Sequence, residues 1–488
     1  MIQQLFGFLS YYIPEVMVIV LMTTLLVAEA AVKDEHGSRK NIYTYALVVL
    51  GLTLIPLFQN LGKAPAHIFF NAVTIDSLST ITKIIMVIGT MGSILLSYTS
   101  KDIYSNLKSE FAIMAVGVLV GGMLLASANN FLTMYVGIET LSILSFVLAA
   151  LKRDESTSAE AGLKYVLYGG LSAGVALYGI SHIYGALGTI QFTEVFEKVA
   201  VLEGTKLTIV VVASILFFGG LAYKISAFPF HMWSPDVYQG SPISVTTFFS
   251  IVPKLAAFSA LVRVSMVFFN NNTVLTNAWV GLLLVVAAMT MTVGNVTAIG
   301  QNSVKRLLAF SSIGHVGLMI LGVAVLNEEG IRALIFYGIV YMFMTLCAFY
   351  ITSHLNDTYG TDNYDIFRGL IYRHPLMAVI MVGTLLSLAG IPPFSGFVAK
   401  FNIFNIIIEK RYYGIAVVAA INSVISLYYY LRFAKIIIFG KADGNEAIAG
   451  FSSFNQAVIV AFFIPVLFLG IFWEKIFAFA GSATVFLK

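Results

Sequence analysis

The chain has 488 residues, of which 59% are hydrophobic and 11% are charged, and its mean hydropathy is +0.91. These values lie far outside the range of water-soluble domains, so the composition excludes a soluble globular protein. The net charge of +4 is small and the basic residues are scattered through short loops, so nucleic-acid binding has no support.

Hydrophobic runs of about 18 to 25 residues recur almost from end to end, and each is long enough to cross roughly 30 Å of hydrocarbon. They predict an all-α polytopic membrane protein with about fourteen transmembrane helices. The predicted spans lie near residues 11–31, 42–60, 76–98, 111–127, 130–151, 163–187, 207–228, 243–269, 276–299, 305–326, 331–353, 375–391, 413–438 and 455–479.

Lysine and arginine are more frequent in the connections that follow odd-numbered spans. The positive-inside rule places these connections in the cytoplasm, so we expect both termini on the non-cytoplasmic side. The odd-to-even connections carry Lys33, Arg39, Lys40, Lys101, Lys108, Lys152, Arg153, Lys305, Arg306, Arg368, Arg373, Lys435 and Lys441, whereas the even-to-odd ones carry mainly Lys63, Lys198, Lys206, Lys410 and Arg411.

Two spans end in a motif with proline where a continuous helix would need a backbone donor: AFPFH at 227–231 for the seventh and GIPPFSG at 390–396 for the twelfth. Irregular backbone at membrane depth is tolerated only where protein or water covers it. Breaks five spans apart predict two inverted five-helix repeats with matching discontinuous helices. The alternative is a pair of ordinary proline kinks near helix ends. The predicted domains are a three-helix segment (1–110), the two repeats (111–270 and 271–440) and a C-terminal helix (441–488).

Four charged residues are the main candidates for charges inside the membrane, in a predicted span or on the second half of a broken one, where a charge near the bilayer centre costs about 3 kcal/mol and therefore needs a partner or a wet cavity. Glu139 lies about nine residues into the fifth span, Lys224 just before the first break, Lys254 about eleven residues into the eighth span, and Lys400 just after the second break. Burial and neighbouring charges can toggle such groups, so they predict a line of proton sites. Static ion pairs that hold helices together are the alternative, although three lysines and one glutamate cannot all be paired.

Four further residues are secondary candidates for the proton path. Lys83 is about seven residues inside the third span, whereas Lys164 is close enough to the entrance of the sixth to extend to the surface. His231 and His315 have a side chain whose ordinary pKa, near 6.5, suits proton relay. A hydrogen-bonded packing role remains open for both histidines.

Several classes of site are missing from the sequence. There is no phosphate-binding GxxxxGK[ST] run and no strand followed by GxGxxG, so this chain is not predicted to use ATP or a dinucleotide. No HExxH motif or convincing haem ligand pair is present, and the single cysteine, Cys347, cannot build a disulfide or an iron–sulfur cluster alone. We therefore expect no metal or cofactor in this chain, and any redox centre in a partner.

The sequence resembles the antiporter-like subunits of respiratory complex I over most of residues 112–439. The motifs that carry this resemblance are SAEAGLKY (158–165), KISAFPFHMWSPDVY (224–238), QGSPISV (239–245), PK (253–254), NSVKRLLAFSSIGH (302–315) and LAGIPPF (388–394). So many motifs in the same order are highly specific for the family. Lys400, where the M-type subunit is expected to have glutamate, and the short segment after the last span, where the L-type has a long lateral helix, favour the N-type branch.

The resemblance implies a role for each of the four charged residues. Glu139 matches the glutamate of the fifth helix, Lys224 its charge partner, Lys254 the central connecting lysine, and Lys400 the terminal lysine that faces the next subunit. The implied function is that of a proton-translocating subunit of NADH:quinone oxidoreductase, a translocase that is driven by quinone reduction in partner subunits.

The same resemblance implies where the other components of the complex are. FMN, iron–sulfur clusters and quinone are expected in partner subunits, and the expected partners are a neighbouring antiporter-like subunit, small quinone-module subunits and membrane lipids, in a bacterial inner membrane. Two alternatives remain open: a subunit of a multi-subunit cation/proton antiporter, and a scaffold subunit that conducts nothing.

Overall fold

The structure, a computed structural model, describes residues 2–31, 38–269, 272–325, 327–440 and 451–487. Lys33, Lys441 and the first ten residues of the predicted C-terminal domain lie outside them. In chain order the described helices are α1 (Ile2–Ala31), α2 (Ser38–Asn60), α3 (Ser77–Thr99), α4 (Lys108–Ser127), α5 (Phe131–Ala149), α6 (Ser156–Leu187), α7 (Phe192–Ala200), α8 (Gly204–Ile225), α9 (Trp233–Gly240), α10 (Ile243–Phe268), α11 (Thr273–Ile299), α12 (Val304–Val325), α13 (Glu328–Tyr359), α14 (Leu370–Arg373), α15 (Pro375–Ala389), α16 (Ser395–Glu409), α17 (Tyr413–Phe439), α18 (Ser453–Ile471) and α19 (Glu474–Gly481).

The prediction of an all-helical membrane protein is confirmed. Within the described ranges, thirteen helices are long and apolar enough to cross a membrane, and the shorter apolar helix α15 accounts for the twelfth predicted span. The structure adds a small antiparallel hairpin, β1 (Ala66–Ile68) with β2 (Val73–Ile75), and the short helix α7. Predicted span 455–479 is not one helix: it divides into α18 and α19, because Phe472 leaves the helical conformation (φ −112°, ψ 50°).

The helices are arranged around three buried ones. Helices α10, α12 and α13 are buried along nearly their whole length, and α3 and α4 are mostly buried. Helices α1, α2, α6, α17 and α18 expose apolar side chains, such as Leu171 and Val424, on the outside of the bundle. Outward-facing apolar residues are those expected against lipid or other membrane helices, so the polar groups of the central helices lie in the interior.

Both predicted breaks are present, and they are interruptions of the helix and not kinks. Helix α8 ends at Ile225 because Ser226 adopts a left-handed conformation (φ 60°), and helix structure resumes only at Trp233. Helix α15 ends at Ala389 because Gly390 has φ 88°, a conformation that glycine adopts readily, and α16 begins at Ser395. Each break contains a cis X–Pro peptide bond, Phe228–Pro229 in the first and Pro392–Pro393 in the second.

Side chains bind backbone groups that the breaks release. Thr290 on α11 accepts a hydrogen bond from the Phe228 backbone N–H (2.9 Å), and Ser387 on α15 accepts one from the Gly396 N–H (3.0 Å). Unpaired backbone groups are costly at membrane depth, so these two hydroxyls explain how the irregular segments are tolerated.

Candidate functional site

Lys224 lies in the last turn of α8, directly before the first break. Its side chain is buried (2% exposed), and among the described residues its Nζ atom has no hydrogen-bond partner. Three aromatic rings surround it instead: the ring centroids of Phe146, Tyr165 and Tyr223 lie 5.4, 5.5 and 5.0 Å from Nζ. Lys224 is therefore held by ring faces and not by a static ion pair.

Glu139 is the ninth residue of α5 and lies near its middle. Its carboxylate is close enough to Lys224 to interact with it electrostatically. The residue is half-buried, and it shares the outer face of α5 with the exposed Val136 and Ile143, one turn before and after it. Its Oε1 atom is nevertheless buried and makes no hydrogen bond to any described residue. Glu139 thus lies at the lateral surface of the bundle at membrane depth, a position that calls for cover by another membrane component.

Lys254 lies in the middle of α10, one of the three helices that are buried along nearly their whole length. Its Nζ donates a hydrogen bond of 2.7 Å to the Ser312 Oγ on α12, and it lies 5.4 Å from the centroid of the Tyr238 ring. The neighbouring Pro253 within α10 lacks a backbone donor and so leaves the helix's hydrogen-bond ladder incomplete at this point. Ring contacts lead from Lys224 to Lys254: the Tyr165 ring beside Lys224 stacks on Trp233 (centroids 4.3 Å apart), and Trp233 meets the Tyr238 ring beside Lys254 (6.4 Å).

Lys400 lies on α16, after the second break, and binds the end of α15, the helix before the break. Its side chain is 6% exposed, and Nζ donates a 2.8 Å hydrogen bond to the carbonyl oxygen of Ala389, the last residue of α15. The final carbonyls of a helix have no partner within the helix and carry partial negative charge, so an ammonium group is favoured there. The break thus creates the acceptor that holds Lys400.

His315 lies between the two later lysines. It is buried on α12, three residues after Ser312, and its ring nitrogens contact the Tyr337 hydroxyl (2.7 Å) and the Tyr430 hydroxyl (3.2 Å). A cavity of about 10 Å³, room for a single water molecule, is lined by His315, Lys400, Asn295, Asn422 and other residues of α11, α12 and α17. Hydroxyls, imidazole and a polar cavity therefore connect the surroundings of Lys254 with those of Lys400.

His231 lies apart from this connection, within the first break. Its ring is buried and stacks on Phe228 (centroids 5.7 Å apart), and its Nδ1 makes no hydrogen bond to a described residue. In the described part of the chain, no hydrogen bond or ring contact joins His231 to Lys224, Lys254 or Lys400.

Lys83 and Lys164 are both in ion pairs. Lys83 and Glu15 form a buried pair between α3 and α1 (2.5 Å). Lys164 is half-exposed near the start of α6 and pairs with Asp236 (2.6 Å) and Glu160 (2.7 Å). The geometry therefore favours a static ion pair for Lys83 and a position near the surface for Lys164.

Sequence reasoning missed several members of the site. Ser312, Tyr337 and Tyr430 are not marked by charge, and hydroxyl groups are common in membrane helices, so nothing in the sequence distinguished them. Asp236 and Glu15 are charged and could have been found as partners, but Asp236 follows the first break and Glu15 falls near the start of the predicted span 11–31, where a carboxylate is unremarkable. Their contacts depend on helices distant in the chain.

A bundle of membrane-spanning helices with two discontinuous helices that hold charged side chains in its interior defines a membrane protein of the secondary-transporter type. Residues 128–426 match the family described as NADH:quinone oxidoreductase/Mrp antiporter, TM. This match covers more than half of the chain, and the chain belongs to this family.

Curated relatives agree with the family match. The chain is 35% identical to NADH-quinone oxidoreductase subunit N of Pelagibacter ubique, over 93% of this chain and 96% of the relative. It is 37% identical to NADH-quinone oxidoreductase subunit N of Bartonella bacilliformis, over 91% of each chain. These matches confirm the resemblance to the antiporter-like subunits and to their N-type branch.

Solved structures share the fold. A chain of respiratory complex I from Thermus thermophilus with bound Aureothin is 29% identical, with a TM-score of 0.81 over 96% of this chain and 99% of that one. A chain of the Mrp complex from Dietzia sp. DQ12-45-1b has a TM-score of 0.82 at 21% identity, over 97% of both chains. The second likeness concerns the fold alone.

Proposed function

We propose that this chain is a proton-translocating membrane subunit, of the N type, in an NADH:quinone oxidoreductase. The observation that carries the proposal is the burial of Lys224, Lys254 and Lys400, each at most 6% exposed and none in an ion pair with a described residue. A buried lysine without a counter-ion exchanges its proton more readily than a paired one, because burial disfavours its charged form.

The proposed sequence of events begins at the lateral surface. A neighbouring subunit covers Glu139, and quinone reduction elsewhere in the complex changes the charge around it. Two unit charges about 6 Å apart interact by roughly 3 kcal/mol at an effective dielectric constant of 20, which suffices to shift Lys224 between its charged and neutral forms. The proton then moves from Lys224 to Lys254, and by way of Ser312, His315 and the adjoining cavity to Lys400.

The other components belong to partner subunits in this proposal. FMN, iron–sulfur clusters and quinone are held by those partners, and this chain contributes no redox centre. The complex lies in a bacterial inner membrane, with both termini of this chain on the non-cytoplasmic side, as the distribution of lysine and arginine indicates.

Two backbone contacts support the proposed repeats of residues 111–270 and 271–440. Asn130, just before α5, pairs with Gln191 after α6, and Ser303, just before α12, pairs with Asn363 after α13. In each proposed repeat the residue before the second helix thus meets the residue after the third. Nine residues after Asn130 comes Glu139, and nine residues after Ser303 comes Ser312, the partner of Lys254. If the two repeats correspond in this way, Glu139 and Ser312 occupy equivalent positions, and each is the partner of a lysine.

The decisive experiment measures proton pumping and quinone reduction together in inverted membrane vesicles that contain the assembled complex. Lys224→Ala and Glu139→Ala are expected to lower the number of protons pumped per quinone reduced while the complex still assembles. Lys206→Ala, at an exposed position near the start of the same helix α8, is the matched control and should pump normally. Normal pumping in Lys224→Ala would refute the proposal.

The alternatives make different predictions. An antiporter subunit would restore growth under sodium stress to a strain that lacks its own sodium/proton antiporters, and it would not co-purify with flavin-bearing partners. A non-conducting scaffold would leave proton pumping unchanged when Lys254 or Lys400 is replaced by alanine. The proposed pump requires a loss in both variants.

A further inference from the structure

The three buried lysines have different partners. Lys254 donates to the hydroxyl of Ser312 and Lys400 to the carbonyl of Ala389, whereas Lys224 has no hydrogen-bond acceptor in the described part of the chain. Three ring centroids lie within 5.5 Å of its Nζ atom. A ring face carries partial negative charge and attracts a cation within about 6 Å, most strongly where water is absent. The rings thus take the place of an acceptor.

The rings come from three helices and are fixed by their neighbours. Phe146 is on α5, two turns after Glu139, and meets Tyr165 of α6 edge to face (centroids 5.0 Å apart, 82°). Tyr223 of α8 donates its hydroxyl to the Tyr165 backbone carbonyl (2.8 Å), and Trp233 stacks on the Tyr165 ring. The Tyr223 hydroxyl is therefore bound to the Tyr165 carbonyl, and Tyr223 contacts Lys224 through its ring.

A glycine on α6 supports this arrangement. A Cβ atom added at Gly169 would lie 2.4 Å from the Phe146 ring and 2.9 Å from the Tyr223 hydroxyl. Real Cβ atoms do not come so close to other heavy atoms, so any larger residue at 169 would displace the ring. The absence of a side chain at this position leaves room for Phe146 beside Lys224.

We propose that Phe146, Tyr165 and Tyr223 form an aromatic cage that holds the charged Lys224 side chain, and that Phe146 is a positioning residue for proton transfer. The proposal rests on the proposed function. In that function a neighbouring subunit covers Glu139, so the interaction of Glu139 with Lys224 changes as that subunit changes. The rings stay with Lys224 throughout, and a ring face takes no proton from the ammonium. The cage therefore keeps the ammonium in place when the glutamate is engaged elsewhere.

Fluorinated phenylalanine at position 146 tests the cage. Each added fluorine withdraws negative charge from the ring face with little change in ring size, so a packing role is hardly affected while the attraction for a cation falls. Complete loss of one such attraction changes the balance of charged and neutral lysine by about 2- to 30-fold. We expect protons pumped per quinone reduced to fall stepwise from mono- to trifluorophenylalanine, by about twofold or more in the last.

Phe131 supplies the matched control. It is a fully buried ring on the same helix, packed edge to face against Phe192 and Phe217, and its fluorination should leave pumping unchanged. Phe146→Leu should reduce pumping and Phe146→Tyr should restore it, in complexes that assemble and reduce quinone normally. Unchanged pumping with trifluorophenylalanine at 146, while Lys224→Ala abolishes pumping, would overturn the cage and leave the proposed function standing. Normal pumping in Lys224→Ala would instead overturn the proposed function.

Discussion

The Nζ atom of Lys254 lies 2.7 Å from the Oγ atom of Ser312, and this hydrogen bond joins α10 to α12 at the centre of the bundle. Ser312 in turn donates to the carbonyl of Ala309 on its own helix (2.7 Å), so its hydroxyl is oriented to accept from the lysine. Three residues further along α12, His315 contacts two tyrosine hydroxyls. One helix face thus carries the partner of Lys254 and the first group on the way to Lys400.

Ser312→Ala removes the acceptor that holds Lys254. A hydrogen bond to a charged group contributes about 1.5–3 kcal/mol, so the variant should lose much of its proton transfer at this step. We expect fewer protons pumped per quinone reduced, measured by quenching of a pH-sensitive acridine dye in inverted vesicles. Ser259→Ala, on α10 and equally buried but with a long hydrogen bond of 3.4 Å, is the control and should behave as the wild type. Equal pumping in the two variants would contradict a role for Ser312.

The helix plan and the charged members of the site could be predicted from the sequence, because each has a strong physical signal. Long apolar runs indicate spans, proline indicates a break, and a charge at membrane depth stands out by its cost. The break that ends α8 at Ile225 and the burial of Lys400 followed from these signals alone.

The uncharged members of the site could not be predicted in this way. Ser312 and Phe146 are ordinary membrane-helix residues, and their importance arises from contacts with residues on other helices, 58 positions away for Ser312 and Lys254. The hairpin of β1 and β2 has strands of three residues each, too short for an alternating pattern to be distinguished. Glu139 was expected in a buried line, yet it lies half-buried at the lateral surface, because nothing in one sequence shows which face of α5 turns outward.

The buried pair of Lys83 and Glu15 should stabilise the packing of α1 on α3 and take no part in pumping. Both side chains are at most 5% exposed and their charged atoms lie 2.5 Å apart. Lys83→Met leaves the glutamate buried without its counter-ion, which should cost about 3–5 kcal/mol of folding stability. The double variant Lys83→Met/Glu15→Leu should be close to the wild type, because neither charge remains. The difference in stability is measured as the change in the temperature at which this subunit is released from the purified complex.

The same two variants also separate a structural role from a proton-path role. Complexes that assemble with the double substitution should pump normally, since Lys83 and Glu15 are paired with each other and not with Lys224, Lys254 or Lys400. If the double variant assembles and reduces quinone but pumps fewer protons, Lys83 belongs to the proton path and the structural interpretation is wrong.

Asp102 should stabilise the start of α10 in a manner that is independent of pH near neutrality. Its carboxylate accepts a hydrogen bond from the Ile243 backbone N–H (2.5 Å) and binds Lys152 Nζ (2.8 Å). Burial of Lys152 lowers its pKa, but the carboxylates of Asp102 and Glu155 outweigh burial and raise the pKa above its ordinary value of 10.5. A raised lysine pKa gives stability that is fully present below the unfolded-state pKa and is lost only as the pH rises through the folded-state value.

Asp102→Asn should therefore lower the thermal midpoint of the complex by the same amount at every pH from about 7 to 9. The loss should correspond to about 1.5–3 kcal/mol, the contribution of hydrogen bonds to a charged group. Differential scanning fluorimetry of wild type and variant in the same detergent measures it. If the difference in thermal midpoint between wild type and variant already shrinks within this pH range, the ion pair with Lys152 is not the source of that difference.

Gly390 holds Lys400 in place through its lack of a side chain, and a matched pair of glycine variants can test this. Gly390 and Gly360 both end a helix in the left-handed conformation (φ 88° and 66°), where alanine costs about 1–2 kcal/mol. A Cβ atom at 390 would lie 2.8 Å from Lys400 Cδ, whereas one at 360 would meet nothing within 4 Å. Both alanine variants should lower the thermal midpoint, but only Gly390→Ala should reduce proton pumping. Equal pumping by the two variants would show that the position of Lys400 does not depend on the glycine.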